Sequence, residues 1–321
     1  MSSTDLWPAV SYEDWSETCD TLHAHTQVLG KIAAKLAPPE PQLQHAALRL
    51  TARGWETAPL PAADGSGALD LHRHEAVAEH SDGRALRLPM TPHRAVGEVT
   101  RELLAAVGDL VGTVEIEPAP QEVTWSAPLD EDTEHATYEP EEVAAYFAAA
   151  TQAALVLAAF RAPYRGRSSP VNAWWGSFDL AVSLFSGLPA KPPSDDFITR
   201  NAGDVQQVEV GWWPGDGRYG KAAFFAYAHP APDGFGEATL DPEAARWDHG
   251  LGEYVLDWDD VRAAPDPHSY GLEFARSASS TPASSAAGTG RSPRAPKERR
   301  HRSYRPGSRV CDCRSGLRFL P

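Results

Sequence analysis

The chain has 321 residues, 42% of them hydrophobic and 9% aromatic, a globular composition long enough to bury a sizeable core. Its net charge of −15 is unevenly spread: residues 276–321 hold eleven Lys or Arg against two Asp or Glu, leaving 18 basic and 42 acidic residues in the rest. So acidic a body repels nucleic acid and anionic membrane, three scattered cysteines make no disulfide framework, and the opening MSSTDLWPAVSYEDW lacks the marks of a signal peptide. A cytoplasmic protein is expected, with no apolar run near the roughly 20 residues of a membrane helix.

Ser11 followed by Asp14 resembles a capping box, and Trp15, Cys19, Leu22, Thr26, Leu29, Ala33 and Leu36 recur at helical spacing until Pro38-Pro39 ends the run. Alternation then predicts a strand over 44–53, with Leu48, Leu50 and Ala52 on one face and Arg49, Thr51 and Arg53 on the other. Strands over 68–72, 76–80 and 84–89 follow, the last two joined through Asp82-Gly83, a tight-turn pair. A second helix opens at Pro92 and closes at Gly108, then TVEIEP reads as a strand. An acidic connector over 118–140 leads to an Ala-rich helix from Pro140 to Phe160.

Eleven aromatic residues fall between Trp174 and Tyr227, including the pairs Trp174-Trp175 and Trp212-Trp213. Strands are expected over 171–176, 178–186, 205–213 and 222–228, then one more short strand and a helix after Asp266-Pro267. Helix-then-strands thus occurs twice. The fold class expected is α+β, a mainly antiparallel sheet flanked by helices: one compact body over 1–275, with pseudo-repeated halves of about 1–118 and 138–275. From Ser277 apolar periodicity fails, and a disordered basic tail is expected over 276–321. It reads either as an arm for an acidic partner or as an out-of-frame product of GC-rich DNA, and its Arg, Ser, Pro, Gly and Ala favour the second.

Several stretches together resemble an uncharacterised, mainly bacterial family known as domain of unknown function 5996. They are LWPAVSYEDWSETCDTLHAHTQVLGKIA, LRLTARGWETAPLP, SDGRALRLPM, SSPVNAWWGSFDLAVSLFSG, GWWPG and FFAYAHPAP. The resemblance covers residues 6 to about 275. It implies a conserved architecture without assigned chemistry, and a C-terminal helix where this chain turns basic.

Candidate site residues come from the pattern alone. His23, Gln27 and Lys31 lie four apart on the first helix and form a polar stripe. His23 could transfer protons there and Lys31 hold an anion; the competing reading is a solvated face. Thr51 and Arg53 share a strand face, where Arg53 could clamp a carboxylate or phosphate or simply pair with a neighbouring acid. Strand alternation through WWGSFDL puts Trp175, Ser177 and Asp179 on one face, a stacking platform with hydrogen-bonding neighbours. His72, His74 and His80 lack the spacing of a metal centre, so no metal is assigned. Ser177 lacks the nucleophile elbow, there is no phosphate loop or dinucleotide fingerprint, and no cofactor is assigned. The expectation is a small-molecule site, binding or enzymatic, where the first helix meets the aromatic strands. Its rival is an interaction protein with an exposed aromatic surface.

Overall fold

The computed structural model describes residues 6–60 and 65–280. Helix α1 (Tyr12–Leu36) follows the expected apolar stripe, with a non-helical kink at Trp15. Five antiparallel strands come next: β1 (Leu48–Leu50), β2 (Gly54–Thr57), β3 (Gly65–Asp70), β4 (Glu75–His80) and β5 (Ala85–Pro89). Helix α2 (Val96–Val111) closes the first half, and α3 (Pro140–Arg161) opens the second. There β6 (Asn172–Trp174), β7 (Asp179–Pro189), β8 (Val205–Trp213) and β9 (Ala223–His229) form another meander. A short helix α4 (Phe197–Ala202) interrupts it, and β10 (Arg246–Asp248), β11 (Glu253–Asp257), α5 (Trp258–Ala263) and α6 (Pro267–Ser279) complete the fold.

All eleven strands make one sheet in the order β10-β11-β9-β8-β7-β6-β1-β2-β3-β4-β5. The halves meet where β1 pairs antiparallel with β6, Leu48 opposite Ala173. The first half is a helix, five strands and a helix; the second is a helix, six strands with α4 among them, and two closing helices, with β11 between β9 and β10. Trp55, Leu69, Ala76, Leu180, Val182, Val210, Trp212, Phe224 and Leu256 project to one side and pack with α1, α2, α3 and α6 in the main core. Alternate residues project to the outer face. There Ala181, Trp213, Ala223, Phe225 and Val255 form a smaller cluster, with Trp174, Tyr219, Tyr227 and Leu251 packed against it.

Several expectations need correction. The strand over 44–53 ends at Leu50, because Thr51 and Gly54 exchange backbone hydrogen bonds of 2.8 and 3.3 Å in a tight turn. Gly54 sits there at φ 144°, where a Cβ would strike the Leu69 carbonyl oxygen at 2.1 Å. TVEIEP forms no strand: the chain has neither helix nor strand between α2 and α3. Helix α4 was not anticipated; the Asp196 side chain caps it by accepting from Thr199 N–H at 2.8 Å. Helix α3 is 22 residues long with a mean hydropathy of 1.8 in its most apolar window, so among the described residues one helix is long and apolar enough to cross a membrane. Half of that window is buried in the fold, where its alanines let α6 and β7 approach closely. Helix α6 continues through Ser279, beyond the expected end of the body, with Phe274, Ala275 and Ala278 fully buried. The remainder of the basic tail, 281–321, lies outside the described residues.

Candidate functional site

The polar stripe of α1 does meet the aromatic segment, and it is buried. His23 Nε2 donates to the carbonyl oxygens of Trp175 (2.9 Å) and Gly176 (3.0 Å), in the loop between β6 and β7. Its ring stacks on Phe178, centroids 4.9 Å apart. Burial drives its pKa down to about 4, so the imidazole is neutral at pH 7. One helical turn on, the Gln27 amide clamps the connector: it donates to the Gln121 carbonyl at 2.9 Å and accepts the Gln121 N–H at 2.8 Å. A further turn on, Lys31 Nζ lies 5.3 Å from the centroid of the Trp175 ring, within cation–π range. Burial lowers its pKa to about 8, against the pull of Glu117. The Trp175 indole donates to Ala46 O at 3.1 Å and is 2% exposed. His23, Gln27, Lys31 and Trp175 thus come together as a seam locking α1, the connector and the β6–β7 loop, with His23 and Gln27 engaged by backbone.

The other expected residues lie elsewhere. Arg53 and Thr51 belong to the turn before β2, where Thr51 Oγ1 donates to Glu56 (2.8 Å) and Arg53 pairs with Glu56 (2.5 Å) and Glu79 (3.1 Å). Arg87 extends this outer-face network to Glu79 and Glu75, so Arg53 serves neighbouring acids. The platform of Trp175, Ser177 and Asp179 is not one face. Strand β6 ends at Trp174, which pairs with Asp179, and 175–178 form the turn, with Phe178 at φ 57°. Trp175 therefore turns toward α1, whereas Asp179 lies on the outer face and accepts from Ser177 Oγ at 2.5 Å.

Around Asp179 the strand register assembles groups that sequence reasoning missed. Ser183 pairs with Glu209, Glu209 with Tyr227, and Glu253 with Asp248 on the neighbouring strands. Glu209 is 7% exposed and accepts from Tyr227 Oη at 2.9 Å and from Ser183 Oγ. Burial raises its pKa, with those two hydrogen bonds opposing. Burial also lifts Asp179 well above the carboxylate range, reinforced by the charge of Glu209. Glu253 is pushed up to about 7 by burial and then by Glu209. Asp179 and Ser183 are four residues apart on β7, about 13 Å along the strand. The floor between them is Ala181, Gly211, Phe225 and Val255, with Trp213 and Tyr227 flanking. A Cβ on Gly211 would meet the Phe225 ring at 2.3 Å, so glycine lets that ring lie flat on the sheet. Glu122 stands exposed at the rim, its carboxylate against Gly176. The sequence signal was Glu209 itself: a lone charge inside the apolar strand VQQVEVGWW needs a reason.

An open groove of about 730 Å³ lies between 238–241 and α6, bordered by Asp241, Glu273 and Arg276. No expected site residue lines it. Among the described residues, no group of three or more His, Cys, Asp or Glu is arranged to hold a metal ion.

Fold and site together define an α+β protein whose single antiparallel sheet carries long helices on one face and an acidic, aromatic array on the other. A family model described as "Family of unknown function (DUF5996)" matches residues 7–291, and the chain belongs to that family. The match runs past Arg276 into the stretch read as tail. Searches of curated proteins and of solved structures each returned no match.

Proposed function

We propose that the outer face of the second half binds a small organic amine, with diamines preferred. One observation carries this reading: Asp179 lies at one end of an aromatic floor and the Glu209–Glu253 pair at the other, and the bordering cations pair with other acids, Arg218 also acting on Glu253 through its charge. Arg218 pairs with Asp216 at 2.7 Å, and Arg246 and Lys221 pair with Asp257 at 3.1 and 3.3 Å. A ligand ammonium would favour the ionised form of each carboxyl by supplying an opposite charge, and rings such as Trp213 and Tyr227 attract cations through their faces. The serine hydroxyls there, Ser177 and Ser183, donate to Asp179 and Glu209, carboxyls whose pKa burial raises and which are thereby disfavoured as ionised bases, and this supports binding over catalysis.

The rival reading, a partner surface built of aromatics, draws little support. Among the described residues, the exposed large apolar side chains are Leu6, Leu86, Leu155, Leu188 and Phe197, on different elements and without a tryptophan among them.

The test is calorimetric titration of the full chain with diaminoalkanes of three to six carbons, against butylamine and 1,4-butanediol. Saturable binding that favours a diamine, ignores the diol and weakens at least tenfold in Asp179→Asn and Glu209→Gln is expected. Absence of any amine binding, or equal binding by those variants, would refute it.

A further inference from the structure

The aromatic floor and its acids are nearly sealed, although they lie on the face of the sheet opposite the long helices: Asp179 is 6% exposed, Glu209 7%, Phe225 6% and Trp213 9%. Part of the cover is the loop between β8 and β9, residues 214–222. The loop holds its own shape. Asp216 Oδ1 accepts the backbone N–H groups of Arg218 (2.9 Å) and Tyr219 (3.0 Å), and Gly220 N–H donates to Asp216 O at 2.7 Å. At its neck a Cβ on Gly215, φ 95°, would meet the Lys221 carbonyl oxygen at 2.6 Å, so only glycine lets the two ends close. Tyr219 lays its ring against Trp213, centroids 5.3 Å apart, and donates to Asp257 at 2.5 Å. Beside it, the Arg218 side chain is 77% exposed and rests on Asp216 Oδ2 through Nε (2.9 Å) and Nη2 (2.7 Å). Burial raises Glu253 and Glu122, and the charge of Arg218 opposes the rise in both. Glu253 lies at the far end of the floor and Glu122 at the rim by Gly176. Because such attraction fades with distance, a cation felt at both stands over the floor between them.

We propose that Arg218 is an internal cation standing where a ligand ammonium would bind, and that the β8–β9 loop is a lid that swings outward to admit the ligand. The inference rests on the amine reading and adds its regulation. A bound ammonium and Arg218 compete for the same carboxyls, since like charges drawn to one site repel. The movement is structurally simple. Asp216 belongs to the same loop as Arg218, so that pair leaves the floor intact. The tie that breaks is Tyr219 to Asp257, and Lys221 and Arg246 remain to pair with Asp257 at 3.3 and 3.1 Å.

Calorimetric titration with 1,4-diaminobutane tests it on the full chain, on Arg218→Ala and on Arg73→Ala. Arg73 is an exposed arginine of the β3–β4 turn, and its loss changes the net charge equally. Arg218→Ala should bind roughly fivefold or more tighter than the wild type, because one competing charge is gone, and Arg73→Ala should bind as the wild type does. In the ligand-free chain the Glu253 carboxyl, followed by carbon-13 resonance, should titrate at higher pH in Arg218→Ala. If the wild type binds while Arg218→Ala binds equally or more weakly, or Arg73→Ala gains as much, the role of Arg218 is overturned and the amine reading survives. An unchanged Glu253 titration likewise removes Arg218 from the floor. If neither the wild type nor Arg218→Ala binds, the amine reading itself falls, and this inference with it.

Discussion

Gly30 and Trp175 share one space: a Cβ on Gly30 would come within 2.0 Å of the indole Cδ1. The glycine sits inside the 25-residue helix α1, where alanine would ordinarily add up to about 1 kcal/mol. Here the clash is with a ring fixed by its own hydrogen bond to Ala46, and overpacking costs about 1–3 kcal/mol. Gly30→Ala is therefore expected to lower the urea midpoint. A raised midpoint would mean that the indole is free to move.

Gln27 holds the connector through both ends of its amide. Gln27→Ala should destabilise the protein by about 1–3 kcal/mol, since the Gln121 N–H and carbonyl lose their partners. Hydrogen exchange should quicken first around Gln121. Uniform quickening across the sheet would show that the clamp is global in its effect.

The pH dependence of His23 has a definite sign. Its folded pKa of about 4 lies below the ordinary value of 6.5, so the unfolded chain binds its proton more readily. The stability tied to the neutral ring is full above pH 6.5 and is lost as pH falls toward 4. Relative to His23→Gln, the wild type should lose about 3 kcal/mol across that window, from a shift of roughly two and a half units. Guanidinium titrations at several pH values read the difference; a constant gap between the two proteins contradicts the assignment.

Glu253 behaves in the opposite sense. Its folded pKa of about 7 exceeds the usual 4.5, so its contribution is greatest below pH 4.5 and disappears as pH rises through 7. Glu253→Gln should raise the melting temperature at pH 8, by a stability gain on the order of 1–2 kcal/mol after screening is allowed for. At pH 4.5 it should change little. Equal shifts at both pH values would point to packing instead of charge.

The sequence disclosed what local chemistry encodes. The β4–β5 hairpin was legible because Gly83, at φ 93°, takes the backbone position that Asp-Gly announces. The meeting of His23 with Trp175 was legible as a stripe facing indoles, although its enclosure was not, since nothing near α1 reveals that Gln121 will cover it. Arg53 was misplaced because a single Gly54 inside an alternating run gives a weak turn signal. Asp179 was put beside Trp175 because alternation was carried through a turn that Phe178 closes at positive φ. The Glu209 row escaped notice for a different reason: Ser183, Glu209, Tyr227 and Glu253 become neighbours only through strand register, a property of distant segments.

The joint between the halves is narrow, with β1 and β6 each three residues long and touching in register at Leu48 and Ala173. Such a joint is the line along which the sheet would tear under tension. Tension on the two termini falls elsewhere first, because the second half holds the start of the chain: the carbonyls of Pro8 and Trp7 accept from Trp258 and Arg262, so that segment should peel from α5 before β1 and β6 part.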